Sequence, residues 1–239
     1  MTRSGKAGTL WGLGVGPGDP ELITLKALRA LERCPVVAYP APPEGDSLAR
    51  AIVTPHLAPG KVEITIRMTL EPRNFPAPDV YDPAAATIAE HLAAGRDVAV
   101  LCEGDPFFYG SFQYLYARLA DRFAVVVVPG VTSLVACPAA AGVPLTAQND
   151  VLVVVPATLD EATLEARLAG ADAAAIVKVG RHLGTVRRVV ARLGLESRAR
   201  LVEHASRPDQ RVRDLTDVAE ASAPYFSMVL VHRRGEAWR

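Results

Sequence analysis

The chain has 239 residues, half of them hydrophobic, with 26 basic and 26 acidic side chains that cancel to no formal net charge. That length can bury a real core as one large or two small domains. The charge balance argues against a nucleic-acid partner, which would need an excess of Lys and Arg to displace counterions from phosphates. The three cysteines, Cys34, Cys102 and Cys137, are odd in number and widely spaced. They read as buried free thiols of a reducing cytoplasm. No short Cys or His pairing exists to hold zinc, so no metal is expected. Residues 1–8 lack the apolar core of a signal peptide, and no run reaches the roughly 18 apolar residues of a membrane span. The expectation is a cytoplasmic protein without a membrane partner. Arg211, Arg213, Arg233, Arg234 and Arg239 crowd the last stretch and read as a solvated arginine-rich surface.

Along the chain, β-branched runs alternate with helical segments, the pattern of parallel strands joined by crossover helices. Strands are predicted over 9–15, 35–39, 62–67, 97–102 and 124–128, several almost continuously apolar, as strands covered on both faces are. Asp19-Pro20-Glu21 supplies a capping carboxylate, a proline at the first helical position and an acid in the first turn. Leu22, Leu25, Leu28 and Leu31 follow as the apolar face of that helix. The proline-rich stretches 40–46 and 71–83 read as surface loops. Asp82-Pro83 opens another helix carrying Ile88 and Leu92, and Gly95 stops it.

Beyond residue 146 the build changes. Strands are predicted over 150–155, 174–179, 201–205, 210–215 and 226–232, with clear helices only at 160–168 and 183–193. The last three strands follow one another closely, which implies antiparallel pairing. The fold class is therefore α/β, as two α/β domains, the first with a mostly parallel sheet and the second with a mixed sheet. The first domain is placed at 1–130 and the second at 131–239, with the division between 116 and 146. A cleft between them is the expected ligand site.

Three strand-end segments could carry chemistry. The first, Gly12-Leu13-Gly14-Val15-Gly16-Pro17-Gly18-Asp19-Pro20, has the glycines of a sharp turn or a close ligand approach. Its spacing does not fit a dinucleotide fingerprint: Pro17 or Asp19 falls where the third glycine belongs, and Tyr39-Pro40 replaces the ribose-binding acid. No Lys-Ser or Lys-Thr follows, which excludes a Walker-type phosphate loop. The second is Glu103-Gly104-Asp105-Pro106-Phe107-Phe108-Tyr109-Gly110. Two carboxylates and three aromatics there could hold a cationic, adenine-bearing ligand, or Asp105 could merely cap the next helix. The third is Pro129-Gly130-Val131-Thr132-Ser133, whose hydroxyls read equally as a helix cap.

In this order and with these gaps, the three segments resemble the tetrapyrrole methylase family, over essentially the whole chain. Residues 22–27 (LITLKA), 36–39 (VVAY) and Lys178-Val179-Gly180-Arg181 share in the resemblance. Within the family, EGDPFFYGSF at 103–112 and Tyr225-Phe226-Ser227 are most similar to members that methylate carbon 20 of precorrin-2. The resemblance implies an S-adenosylmethionine-dependent methyltransferase of cobalamin biosynthesis, turning precorrin-2 into precorrin-3A and releasing S-adenosylhomocysteine, as a homodimer. Methylation of another ring carbon, a cobalt-containing precorrin (cobalt-factor II) as substrate, and a non-catalytic corrinoid or nucleotide sensor stay open as alternatives.

Carried over position by position, the resemblance implies a cofactor site of Pro17, Glu103, Gly104, Asp105, Phe108, Thr132, Ser133, Val179 and Ala205. Many relatives have a small or apolar residue where this chain has Glu103, so that carboxylate is a departure. Candidates for the base that removes the carbon-20 proton are Asp105 first, then Glu103 and Tyr109. Arg181, His182, Arg67 and Arg73 are candidate partners for the carboxylate arms of the tetrapyrrole.

Overall fold

The computed structural model describes residues 6–68 and 77–234, so Arg73 and Arg239 lie outside the described residues. The chain divides after Thr132 into two compact units.

In the first unit five strands are β1 (Leu10–Gly14), β2 (Val36–Ala41), β3 (Val62–Arg67), β4 (Val98–Cys102) and β5 (Val125–Val128). They form one sheet in the order β3-β2-β4-β1-β5, and every pairing is parallel. The helices between them are α1 (Leu25–Arg33), α2 (Leu48–Val53), α3 (Pro78–Ala93) and α4 (Phe112–Leu119). One core joins α1 and α2 to one face of the sheet through Ala27, Leu31, Ile52, Val37 and Leu101. A second joins α3 and α4 to the other face through Ile88, Leu92, Leu115, Val98 and Val100. The connections leaving β1 and β4, which are neighbours, therefore turn to opposite faces. In open α/β sheets ligands bind at the carboxyl ends of the strands where such a reversal occurs.

Local signals explain the helices, with two departures from the sequence reading. Asp19 accepts the Glu21 N–H at 2.8 Å, but it caps only a short 3-10 turn over Pro20–Leu22. The helix α1 starts afresh from Thr24, whose Oγ1 accepts from Ala27 N at 3.2 Å. Its buried face is Ala27, Ala30 and Leu31, while Leu25 is exposed. A stripe of leucines every three residues falls behind the 3.6-residue turn and drifts off the core face. Helix α3 begins at Pro78, earlier than Asp82, and runs through Pro83. A proline that near the start removes few intrahelical bonds, so residues 77–83 are mostly helix rather than loop.

In the second unit the strands are β6 (Leu152–Pro156), β7 (Ala173–Val177), β8 (Ala199–Glu203), β9 (Arg211–Asp214) and β10 (Ser227–His232). The order is β6-β7-β10-β8-β9. Strands β6 and β7 are parallel, and β10 runs antiparallel to both β7 and β8, as does β9 to β8. Helix α5 (Ser133–Ala141) packs on one face through Ala136 and Cys137. Helices α6 (Glu161–Ala169) and α7 (Leu183–Arg192) cover the other through Leu164, Leu168, Val186 and Val190. Several late arginines brace the fold instead of standing free in solvent. Arg233 donates to the Leu168, Ala169 and Ala171 carbonyls at the end of α6. Arg213 bridges Glu203 and Glu220.

Candidate functional site

In the first unit, the carboxyl ends of β1, β4 and β5 meet at a junction with no room for side chains. Gly104 N donates to Gly16 O at 2.8 Å, tying the loop after β4 to the loop after β1. A Cβ on Gly14 would stand 2.5 Å from Gly130 N and 2.6 Å from Gly104 O. One on Gly130 would stand 2.0 Å from Gly104 O and 2.7 Å from Gly14 Cα. Three backbones therefore touch where only glycine fits, and a ligand above them would face main chain.

Asp105 closes the junction. Its Oδ1 accepts from Phe107 N at 2.8 Å and Phe108 N at 3.0 Å, and its Oδ2 accepts from Gly130 N at 3.0 Å. An ionised carboxylate offers about four acceptor sites, and three are spent on backbone. Asp105, the first-choice base in the sequence reading, is thus placed as a stitch between the loops after β4 and β5. Glu103, two residues earlier, is half-buried, and its Oε1 accepts from Ala49 N at 3.1 Å, near the start of α2. Burial pushes the Glu103 carboxyl above its ordinary value, and its own backbone N–H and then that of Ala49 offset part of that rise. Tyr109 sits with a left-handed backbone (φ 56°), its ring edge-on to Phe108 at 5.1 Å, and stays half exposed.

This edge of the first unit gathers Pro17, Glu103, Gly104, Asp105, Phe108 and Thr132 from three separated segments. Pro17 follows the Gly16 bridge, and Thr132 Cα lies 3.6 Å from where a Gly104 Cβ would stand. Ser133 opens α5 as the first residue of the second unit. Arg67 lies on the outer strand of the sheet, away from the junction. Its Nη1 donates to Pro42 O at 2.9 Å, Pro43 O at 3.3 Å and Gly45 O at 3.4 Å. That guanidinium is exposed and folded onto the loop between β2 and α2, which it braces through this one nitrogen.

In the second unit, β7 and β8 point the same way with β10 between them, so their carboxyl ends share one edge. Val179 and Ala205 both sit there, each almost fully buried, and the Val179 carbonyl accepts from His182 N at 2.7 Å. Both loops carry non-glycine residues in the left-handed region: Lys178 (φ 57°), His204 (φ 51°) and Ser206 (φ 66°). Such conformations cost about 1–3 kcal/mol each and collect at functional sites. Arg181 is exposed and His182 half-buried on the 3-10 turn Gly180–His182 that leads into α7. The same edge holds features the sequence reading missed. His204 Nδ1 lies 2.7 Å from Asp209 Oδ2. His204 N donates to Phe226 O at 2.8 Å, which brings the exposed Tyr225 and Phe226 beside it. Among the described residues no group of His, Cys, Asp and Glu has a metal-holding arrangement.

An all-parallel unit with a glycine junction at its strand ends, followed by a mixed-sheet unit with strained strand-end loops, defines a two-unit α/β ligand-binding protein. The class narrows on comparison with known sequences. The model for Tetrapyrrole (Corrin/Porphyrin) Methylases matches residues 9–221, and the chain belongs to that family. It is similar to the precorrin-2 C(20)-methyltransferase of Sinorhizobium sp, 44% identical over 94% of this chain and 95% of that one. The cobalt-precorrin-2 C(20)-methyltransferase of Salmonella typhimurium is 30% identical over 96% and 98%. The cobalamin biosynthesis protein CobIJ of Mycobacterium tuberculosis is 48% identical over 94% of this chain but 46% of its own length. The chain thus spans about half of that relative. Among solved structures, uroporphyrin-III C-methyl transferase from Thermus thermophilus, complexed with S-adenyl homocysteine, has a TM-score of 0.67 at 28% identity, covering 94% and 97%. A cobalt precorrin-4 methyltransferase shares the fold at a TM-score of 0.76, with 24% identity and coverage of 95% and 96%.

Proposed function

We propose that this chain transfers a methyl group from S-adenosylmethionine to carbon 20 of precorrin-2, giving precorrin-3A in cobalamin biosynthesis. One observation carries the reading: the 44% identity to an enzyme of that name covers 94% of this chain and 95% of that one. The lower identity to the enzyme named for the cobalt-containing substrate makes that substrate the second choice.

The residues of the first unit suit the cofactor. S-adenosylmethionine, when bound, supplies a methyl on a positively charged sulfur that leaves as a neutral thioether. The glycine junction offers main-chain groups to its polar end, and the Glu103 carboxylate offers an opposite charge to the sulfonium. Pro17, Gly104, Asp105, Phe108, Thr132 and Ser133 are assigned to the same ligand. Glu103 is also the base we favour. Its Oε1 is held by Ala49 N, leaving Oε2 to take the proton that carbon 20 sheds as the new carbon–carbon bond forms. A carboxyl raised by burial is better matched to this task near neutral pH than an ordinary one. Asp105 and Tyr109 are retained as further candidates. The chain's larger contribution is alignment, for which well-placed reactants can gain roughly 7–11 kcal/mol.

In the second unit, the Val179 and Ala205 backbones are assigned to the adenosyl moiety. Arg181 and His182 are assigned to the carboxylate arms of the substrate, which a guanidinium pairs in two-point fashion. A homodimer and a cytoplasmic setting complete the proposal. No helix among the described residues is long and apolar enough to cross a membrane.

The test is anaerobic turnover. With precorrin-2 present, the protein should release many equivalents of S-adenosylhomocysteine per chain, and the cobalt form should be the poorer substrate. Release of one equivalent or none, with the cofactor still bound, would mark a sensor and sink the proposal.

A further inference from the structure

Glu103 is bonded to the start of α2, and α2 is anchored in turn to the edge strand β3 and its neighbour β2. The N–H groups of a helix's first turn have no partner within the helix. At α2, Ser47 Oγ accepts from Arg50 N at 3.2 Å, and Glu103 Oε1, 54 residues along the chain, accepts from Ala49 N at 3.1 Å. The Ser47 residue is itself buried. Two arginines then anchor this helix start from outside. Arg50 reaches from α2 to Glu63 on β3 with two bonds, 2.7 Å to Oε2 and 3.0 Å to Oε1, and Tyr39 OH on β2 donates to Glu63 Oε2 at 2.6 Å. Arg67, at the end of β3, places one nitrogen on the carbonyls of Pro42, Pro43 and Gly45. Those carbonyls belong to the loop that delivers Ser47 and Ala49.

We propose that Arg67 is a positioning residue for Glu103: by fixing the 42–45 loop it sets where the Ala49 N–H meets the Glu103 carboxyl. The guanidinium touches neither Glu103 nor the glycine junction, so its influence passes through the loop and the start of α2. Arg50, held by Glu63 and Tyr39, secures the far side of the same turn. A lysine at position 67 keeps the charge and one donor nitrogen, but its flexible stem holds that nitrogen less firmly than the planar guanidinium does. The kinetic consequences of this inference rest on the methyl-transfer reading given above; the titration of Glu103 does not.

The decisive experiment follows the Glu103 carboxyl by 13C NMR in protein labelled at the glutamate side-chain carboxyl, without substrate. Its resonance is assigned by its absence from Glu103→Gln. In Arg67→Ala the bond from Ala49, which favours the carboxylate, is loosened, and the titration midpoint should rise. Arg67→Lys should fall between that variant and the parent. An unchanged or lowered midpoint overturns the proposal. If Arg67→Ala fails to fold, the Arg67→Lys midpoint decides by the same criterion. In the turnover assay Arg67→Ala should lose about tenfold in kcat with the KM for tetrapyrrole unchanged. It should lose nothing further in a Glu103→Gln background. A raised KM with kcat intact would make Arg67 a substrate clamp and overturn the proposal. Should no methyl transfer be found at all, the functional reading fails, while the NMR titration still decides the role of Arg67.

Discussion

Gly130→Ala tests the glycine junction by adding a single methyl group. The new Cβ would stand 2.0 Å from Gly104 O and 2.7 Å from Gly14 Cα, both main-chain atoms. Ordinary contact needs about 3.5–4.0 Å, so the loops after β1, β4 and β5 would have to part by about 1.5 Å. That movement would break the Asp105 bond to Gly130 N and strain the Gly104 bond to Gly16. Overpacking of this kind costs about 1–3 kcal/mol, and a lost bond to a carboxylate adds roughly 1.5–3. For a unit of this size the combined loss lowers the melting temperature by roughly 10–20 °C. Gly170→Ala is the matched control. Nothing lies within 4 Å of its added Cβ, and its backbone is ordinary at φ −103°, so it should be neutral or slightly stabilising. Calorimetric melting gives the stabilities, and titration with S-adenosylhomocysteine gives the affinities. We expect Gly130→Ala to lose both stability and detectable binding while Gly170→Ala keeps both. Parent-like binding by Gly130→Ala would refute the claim that these three backbones form the floor of a ligand site.

Other outcomes follow from the same geometry. Burial raises the folded-state value of Glu103 above its unfolded value of about 4.3, so the folded protein holds that proton more tightly. The group's favourable contribution is full below the unfolded value and is lost as pH rises through the folded one. Glu103→Gln should therefore gain stability over the parent above that interval and gain nothing below it; an equal difference at every pH would contradict the assignment. Asp105→Asn must turn an NH2 toward either Gly130 N or the Phe107 and Phe108 amides, donor against donor. It should lose about 1–3 kcal/mol of stability and weaken S-adenosylhomocysteine binding at all pH values, whereas a stable variant with intact affinity would remove the stitch. Cys34, Cys102 and Cys137 are buried free thiols. Burial pushes Cys34 and Cys137 up to about 12 and Cys102 higher still. A thiol reagent at pH 8 should label none of the three until the chain is denatured, and rapid labelling of the native protein would contradict the core packing.

The strands are the most legible part of the fold, because buried parallel strands are written as unbroken apolar runs such as Val98 to Cys102. The order of the second sheet was less so: close spacing implied antiparallel partners, but only the three-dimensional register seats β10 between β7 and β8. Helix α1 was mislocated because Asp19 carries every mark of a helix cap yet spends it on a three-residue turn. Helix α2, six residues long and capped by Ser47, lies too near the proline-rich loop to show a period of its own. The three loops of the candidate site were readable as motifs. Their mutual contact was not, since the Gly14–Gly104–Gly130 approach joins three strands and no local pattern records it. The Ala49–Glu103 bond and the Arg67 brace escaped for a related reason: in each, one partner is backbone, which any sequence supplies.

The central claim, methyl transfer to one particular ring carbon, is tested most directly by the 13C spectrum of the tetrapyrrole after a single turnover with S-adenosylmethionine labelled in its methyl group. We expect one new methyl resonance, coupled to carbon 20 and to no other ring position. Label at a different carbon, or an unlabelled ring with the cofactor bound, would contradict it.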